Sequence, residues 1–198
     1  MRVIAGKLRS RPLLSSAGHG LRPTSDRLRE TLFDVLTAGN PSALEGTTWI
    51  DLYAGTGAVG IEAISRGCGI VHFVDAANKA VDLIRRNLRA LGVNAGFKVI
   101  DLDVVRALRT LQQRSVAADF VFLDPPYDLT QEYNQTLDAL SGSSLLKPES
   151  IVIAEHINKF DPGDAFGSLE RFRLLEQGDS ALSFYRRQNS DGVKRDSE

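Results

Sequence analysis

The chain has one cysteine, Cys68, among its 198 residues, and three histidines. A lone thiol cannot close an internal disulfide, and with so few scattered histidines it cannot build a structural zinc site. No apolar run approaches the length of a membrane span. The opening Met1-Arg2-Val3-Ile4-Ala5-Gly6-Lys7 also lacks the apolar core of a secretion signal. The resulting expectation is a reducing, cytoplasmic location with no metal and no membrane partner. The length suits one well-buried α/β domain and is too short for two full-size ones. Hydrophobic residues make up 42% and charged residues 25%, the ordinary balance of a globular protein. Nothing in the sequence marks a dedicated subunit interface, so a monomer is expected.

The net charge of −1 conceals an asymmetry. Residues 1–30 carry seven basic side chains (Arg2, Lys7, Arg9, Arg11, Arg22, Arg27 and Arg29) against Asp26 and Glu30. That segment is +5 and the rest of the chain −6. A basic arm on an acidic body suggests a localised polyanion-binding surface. A solvated extension kept for solubility is the plainer alternative.

Arg2–Ala5 and Arg11–Leu14 read as short extended segments separated by Gly6 and polar residues. Arg22-Pro23-Thr24-Ser25-Asp26 reads as a helix start. Leu28, Leu32, Val35 and Leu36 then recur at helical spacing until Gly39, Asn40 and Pro41 stop the pattern. From Trp49 the chain alternates. Strands are expected at Trp49–Tyr53, Ile70–Val74, Phe97–Ile100, Phe120–Leu123 and Ile151–Glu155. Helices are expected at Ala58–Arg66, Asn78–Leu91, Asp103–Gln113 and Tyr133–Ser141. Such alternation implies a doubly wound, mostly parallel sheet. Leu169–Leu175 and Ala181–Arg186 flank Gly178 and read as an antiparallel pair on one edge. Residues 188–198 have no apolar periodicity and are expected to be a disordered tail. The organisation is then a basic extension over 1–40 and an α/β domain over 41–187.

Asp51-Leu52-Tyr53-Ala54-Gly55-Thr56-Gly57-Ala58-Val59-Gly60 places Gly-x-Gly-x-x-Gly between a strand and a helix. By itself that suits any dinucleotide fold. Asp51 tips the reading toward S-adenosylmethionine. A carboxylate at this strand end would sit badly beside a pyrophosphate, but it can accept bonds from an ammonium group, directly or through water. Asp75 ends the second strand, where it can accept hydrogen bonds from ribose hydroxyls. Ala54, Gly55, Thr56 and Gly57 let backbone approach the cofactor closely. A tight turn with no ligand is the bland reading.

Asp124-Pro125-Pro126-Tyr127 follows the apolar strand Phe120–Leu123 and so falls at the carboxyl edge, where open α/β sheets bind ligands. The exocyclic amine of a base is a poor nucleophile because its lone pair is delocalised into the ring. Attack on a methyl group rehybridises the nitrogen and puts positive charge on it. Two acceptors aimed at its two N–H bonds stabilise that state. The Asp124 carboxylate and the Pro125 carbonyl can supply them, while the Pro125-Pro126 pair removes two backbone donors. Tyr127 offers a face on which an extruded base can stack.

These blocks resemble the bacterial 16S rRNA guanine-N2 methyltransferases of the RsmD family, over nearly the whole chain. The similar segments are Met1-Arg2-Val3-Ile4-Ala5-Gly6, Arg22-Pro23-Thr24-Ser25-Asp26-Arg27-Leu28-Arg29-Glu30-Thr31-Leu32-Phe33, Ile61-Glu62-Ala63-Ile64-Ser65-Arg66-Gly67 and Phe122-Leu123-Asp124-Pro125-Pro126-Tyr127. The resemblance implies a Rossmann-like class I methyltransferase that methylates N2 of one guanine and leaves S-adenosylhomocysteine. It implies 16S rRNA as partner, within an assembled or nearly assembled small subunit. It also implies an RNA grip in the basic arm, through Arg2, Lys7, Arg9, Arg11, Arg22, Thr24, Arg27 and Arg29. Asp75 stands where the family usually has glutamate, so its ribose contacts would be weaker or water-mediated. Asp101 and Asp103 compete for the adenine side. Asp103 is favoured because Val-Val-Arg-Ala-Leu after it fits the helix that follows there.

Other residues read as structural. Trp49 is expected to pack and Cys68 to fill a turn. His72 and His156 lack triad partners. Glu155 and His156 should face opposite sides of the sheet. His19 lies in a glycine-flanked loop. The competing readings are a DNA adenine-N6 or protein glutamine-N5 methyltransferase, a nicotinamide oxidoreductase, and a non-catalytic RNA-binding assembly factor. Asp at 124, rather than Asn, counts against the glutamine enzyme, and the short chain leaves little room for a DNA target-recognition domain. Asp51 and the lack of a proton-relay pair count against the oxidoreductase. Intact Asp51, Gly55, Gly57 and Asp124 count against an inactive factor.

Overall fold

A computed structural model describes residues 1–15, 25–126 and 129–188. Arg22, Thr24, His19, Tyr127 and the tail from 189 onward lie outside the described residues. The elements alternate as the apolar pattern requires: α1 (Asp26–Thr37), β1 (Thr48–Leu52), α2 (Ala58–Ser65), β2 (Ile70–Asp75), α3 (Asn78–Ala90), β3 (Phe97–Asp101), α4 (Val104–Gln113), β4 (Ala118–Leu123), α5 (Thr130–Ser141) and β5 (Leu146–Ile157). The chain then forms β6 (Ala165–Phe166), β7 (Leu169–Gln177) and β8 (Ser180–Arg187).

One sheet of eight strands results, ordered β3-β2-β1-β4-β5-β8-β7-β6. β1 through β5 pair in parallel, and β8, β7 and β6 continue the sheet antiparallel. The order reverses between β1 and β4, which is the crevice where such sheets bind ligands. β1 and β4 are buried on both faces, and β4 is apolar apart from Asp119. α1, α2 and α3 pack on one face and share a core with Trp49, Phe73, Phe120 and Phe122. α4 and α5 cover the other, around Val121, Leu123, Tyr133 and Tyr185. Trp49 is fully buried, stacked on Phe33 at 5.4 Å and tilted against Phe120 at 5.5 Å. Among the described residues no helix is long and apolar enough to cross a membrane.

The N-terminal segment differs from the expected strand pair. It forms one antiparallel bridge, Arg2 to Pro12, around a 3-10 turn at Gly6–Leu8. Pro12 has no N–H to extend a ladder. Side chains also take the backbone donors that a ladder would use: Glu62 accepts from Ile4 and Ala5 N–H at 2.7 and 2.9 Å, and Asn87 accepts from Leu14 N–H at 2.7 Å. Val3 and Leu13 enter the same core as α1 and α2. The segment is therefore fastened to the body rather than held apart from it.

Other boundaries move. β5 begins five residues before Ile151, because its first half is polar at Pro148 and Glu149 and carries no strand-like apolar signal. β6 is only two residues long and leaves no periodicity to read.

Candidate active site

β1 ends at Leu52, and the chain turns through Tyr53 at φ 57°, a left-handed conformation uncommon for a bulky residue. The Tyr53 hydroxyl holds the turn by donating to Glu132 Oε2 at 2.8 Å on α5, and it lies 3.0 Å from Thr136 Oγ1. Gly55 and Gly57 follow at φ 55° and 76°. A Cβ at Gly55 would meet nothing closer than the Tyr53 carbonyl at 3.9 Å, so the loop opens outward there. Gly60 is different: a Cβ there would lie 2.3 Å from Phe73 Cε1 and 2.9 Å from Asp51 Oδ2. The third glycine thus allows α2 to close on the sheet.

Two carboxylates brace this loop from beneath. Asp51 Oδ2 accepts from Gly60 N–H at 2.9 Å, and Asp51 is 2% exposed. Burial, partly offset by that bond and reinforced by Asp75, pushes the Asp51 carboxyl up to about 8. Asp75 Oδ2 accepts from Gly55 N–H at 2.9 Å and Oδ1 from Ala77 N–H at 2.8 Å. The side chain therefore binds the loop's own backbone through both of its oxygens. Ala54 N–H donates to Val74 O at 3.0 Å, and Ala54 O accepts from Gly57 N–H at 2.7 Å. Thr56 O accepts from Asn87 Nδ2 at 2.9 Å.

Asp103 caps α4, accepting from Arg106 N–H at 2.9 Å and pairing with Arg106 Nε at 3.3 Å. Asp101 lies beside Asp75 in the β2–β3 register. Both stand at the carboxyl edge. Asp103 thus holds the start of α4, in keeping with its place just before Val-Val-Arg-Ala-Leu in the sequence.

Asp124 follows β4, whose Leu123 is in register with Leu52 of β1 and Ala154 of β5. Its carboxyl is held well above the usual carboxylate range by burial first, then by the nearby charges of Glu155 and Asp51. Asp51, Asp124 and Glu155 thus gather at the switch point on the face that α2 covers. Glu155 reads as structural from sequence, its one signal being its place at the end of a central strand. His156 occupies the opposite face as expected, against Tyr133, Phe160 and Ser183.

The two prolines are anchored. Tyr133, buried on α5, donates from its hydroxyl to Glu155 O at 2.9 Å and more weakly to Pro125 O at 3.4 Å. Pro126 O accepts from Leu129 N–H at 2.9 Å. Pro125 is buried and Pro126 exposed.

Of the arginines and lysines assigned to RNA, Arg2, Lys7, Arg9, Arg11 and Arg27 are exposed or partly so. Arg29 corrects the expectation. Its side chain is fully buried and donates to the Arg2 carbonyl and to Asp26 Oδ1 at 3.0 Å, with Glu62 Oε2 3.9 Å from Nε. A guanidinium in that position fastens the arm and is closed to a phosphate. Glu62 is the centre of this knot, also accepting from Arg66 Nε at 2.8 Å. Its clue is an acidic residue on an otherwise buried helix. Among the described residues no group of side chains could hold a metal ion.

Comparison with known proteins agrees with this geometry. The family described as Conserved hypothetical protein 95 matches residues 1–186. YlbH of Bacillus subtilis, named a putative rRNA methyltransferase, is 32% identical over 187 residues, covering 94% of this chain and 99% of its own. Ribosomal RNA small subunit methyltransferase D of Haemophilus influenzae is 32% identical over 156 residues, 78% of each chain. A solved structure of a hypothetical protein from Thermus thermophilus superposes with a TM-score of 0.79 at 27% identity, over 93% of this chain and 98% of that one. The chain belongs to the Conserved hypothetical protein 95 family, alongside the ribosomal RNA small subunit methyltransferases D.

Proposed function

We propose that this protein transfers a methyl group from S-adenosylmethionine to the exocyclic N2 of a guanine in 16S rRNA, acting on an assembled or nearly assembled small subunit. The observation that carries the reading is the nearness of Asp124, at the end of β4, to Asp51, which braces the glycine loop, at one switch point. The residues fit the cofactor. Asp51 is a buried carboxyl short of positive charge, suited to an ammonium group, and the space over Gly55 admits a ligand against bare backbone. Asp51, Ala54, Gly55, Thr56, Gly57, Asp75 and Asp103 would hold it. Bound there, S-adenosylmethionine supplies a methyl group made electrophilic by its sulfonium.

The chain's own groups prepare the nucleophile. Asp124 and Pro125 O accept from the two N–H bonds of the guanine amine, which favours the pyramidal nitrogen and steadies its growing positive charge. Asp124 can then carry the proton that the methylated nitrogen sheds, since its surroundings make it more basic than a surface carboxylate. Tyr133 keeps Pro125 O aimed, and Tyr127 offers the stacking face for the extruded base. Residues 1–40 grip the RNA through Arg2, Lys7, Arg9, Arg11 and Arg27, with Arg22 and Thr24 in the same segment.

Asp124→Ala tests the assignment. Methyl transfer to small subunits is expected to fall by roughly a hundredfold or more in kcat while cofactor affinity stays within about threefold. Wild-type turnover in that variant would remove Asp124 from the reaction.

A further inference from the structure

A cavity of about 370 Å³ opens between the N-terminal segment and the first turns of α1. Arg2, Arg9 and Arg27 line it with Ser10, Asp26 and Glu30. It is separate from the glycine loop but shares its side of the molecule. Met1, next to Arg2, lies with its sulfur 3.8 Å from Thr56 Oγ1. α1 descends from there, since its Phe33 stacks on Trp49 near the start of β1. The cavity therefore flanks the carboxyl edge where Asp124 stands.

We propose that this cavity seats one nucleotide of the RNA strand next to the methylated guanine, its phosphate held by Arg2, Arg9 and Arg27 and a base amino group by Glu30. The inference rests on the RNA reading above. The cavity's volume falls in the range of small-ligand sites. The arginines are available: among the described residues neither Arg9 nor Arg27 has a carboxylate within 4.0 Å, and Arg2 reaches Asp26 only at 4.0 Å. Asp26 is already committed to the buried Arg29 at 3.0 Å.

The mixed lining selects the ligand class. A bare anion would meet Asp26 and Glu30 as repulsive charges. A nucleotide offers phosphate oxygens to the guanidinium groups and base N–H donors to a carboxylate. The wall is also fixed in shape. Ser10 holds a left-handed φ of 66° and donates its N–H to Val3 O at 2.9 Å, a strained turn that fixes the backbone beside Arg9. Glu62 and Arg29 clamp the same segment to α2 and α1. Methylation needs its target guanine out of the stack, and a rigid hold on the adjoining nucleotide offsets that cost.

The test is methylation of small subunits by the full chain carrying Arg9→Ala, Arg27→Ala or both, with KM and kcat measured across a salt series. Arg109→Ala on the exposed face of α4 is the control. Each cavity variant is expected to raise KM by about fivefold to tenfold with kcat unchanged, and to lower the slope of log affinity against log salt by about 1. Arg27→Lys should recover most of that slope. The double variant keeping the wild-type KM and salt slope would overturn the proposal. Wild-type enzyme that methylates no RNA would instead refute the RNA reading, so the two failures are separable.

Discussion

Cofactor binding should drive a proton off Asp51, and the size of that release follows from its surroundings. With its carboxyl near 8, Asp51 is about nine-tenths protonated at pH 7 in the free protein. A cationic amine beside it favours the carboxylate, so binding releases about 0.9 proton from Asp51 at pH 7. The association constant should then rise roughly ninefold from pH 6 to 7. Above about pH 8 the cofactor's own α-amino group loses its charge, so the useful window is below that.

Isothermal titration with S-adenosylmethionine in two buffers of different ionisation enthalpy measures the release directly. Asp51→Asn should bind more weakly, with no pH slope. Asp124→Asn should keep most of the slope. No proton release at pH 7, or undiminished release in Asp51→Asn, would refute the reasoning. Without ligand the same shift acts on stability. The folded state retains a proton that the unfolded chain gives up between 3.8 and about 8, so this contribution is full below 3.8 and lost as pH rises through 8. Asp51→Asn should therefore raise the melting temperature of the free protein at pH 8 relative to wild type.

Two further outcomes follow from the supports of the site. Glu62→Ala leaves Arg66 and the Ile4 and Ala5 N–H groups without their shared acceptor and removes the carboxylate 3.9 Å from the buried Arg29 Nε, and should cost about 3–5 kcal/mol, read as a fall in melting temperature and early proteolysis near the N-terminus. An unchanged melt would show that the knot is not holding the arm. Tyr133→Phe keeps the buried ring but frees Pro125 O, and should lower kcat by about tenfold while leaving RNA KM unchanged; equal loss in both, or in neither, would deny its aiming role.

The fold is legible in the sequence because its parallel strands are buried on both faces and read as short apolar runs between amphipathic helices. Phe120–Leu123 is the clearest case, and it places Asp124 at the carboxyl edge. Residues whose role depends on distant partners are not legible. Arg29 reads as one more surface charge in a basic arm, yet its partners Arg2, Asp26 and Glu62 enclose it completely. Glu62 and Asn87 are polar residues on helices, and only folding shows that they take up the backbone of residues 4, 5 and 14. Tyr53 reads as the last residue of a strand, whereas it is a left-handed turn tied to α5.

The most direct test is methyl transfer from labelled S-adenosylmethionine to small ribosomal subunits from cells lacking this protein, with the product nucleoside identified and mapped. N2-methylguanosine at a single 16S position, absent with Asp124→Ala, is the expected result. Label on adenine N6, on protein or on nothing at all would contradict the account.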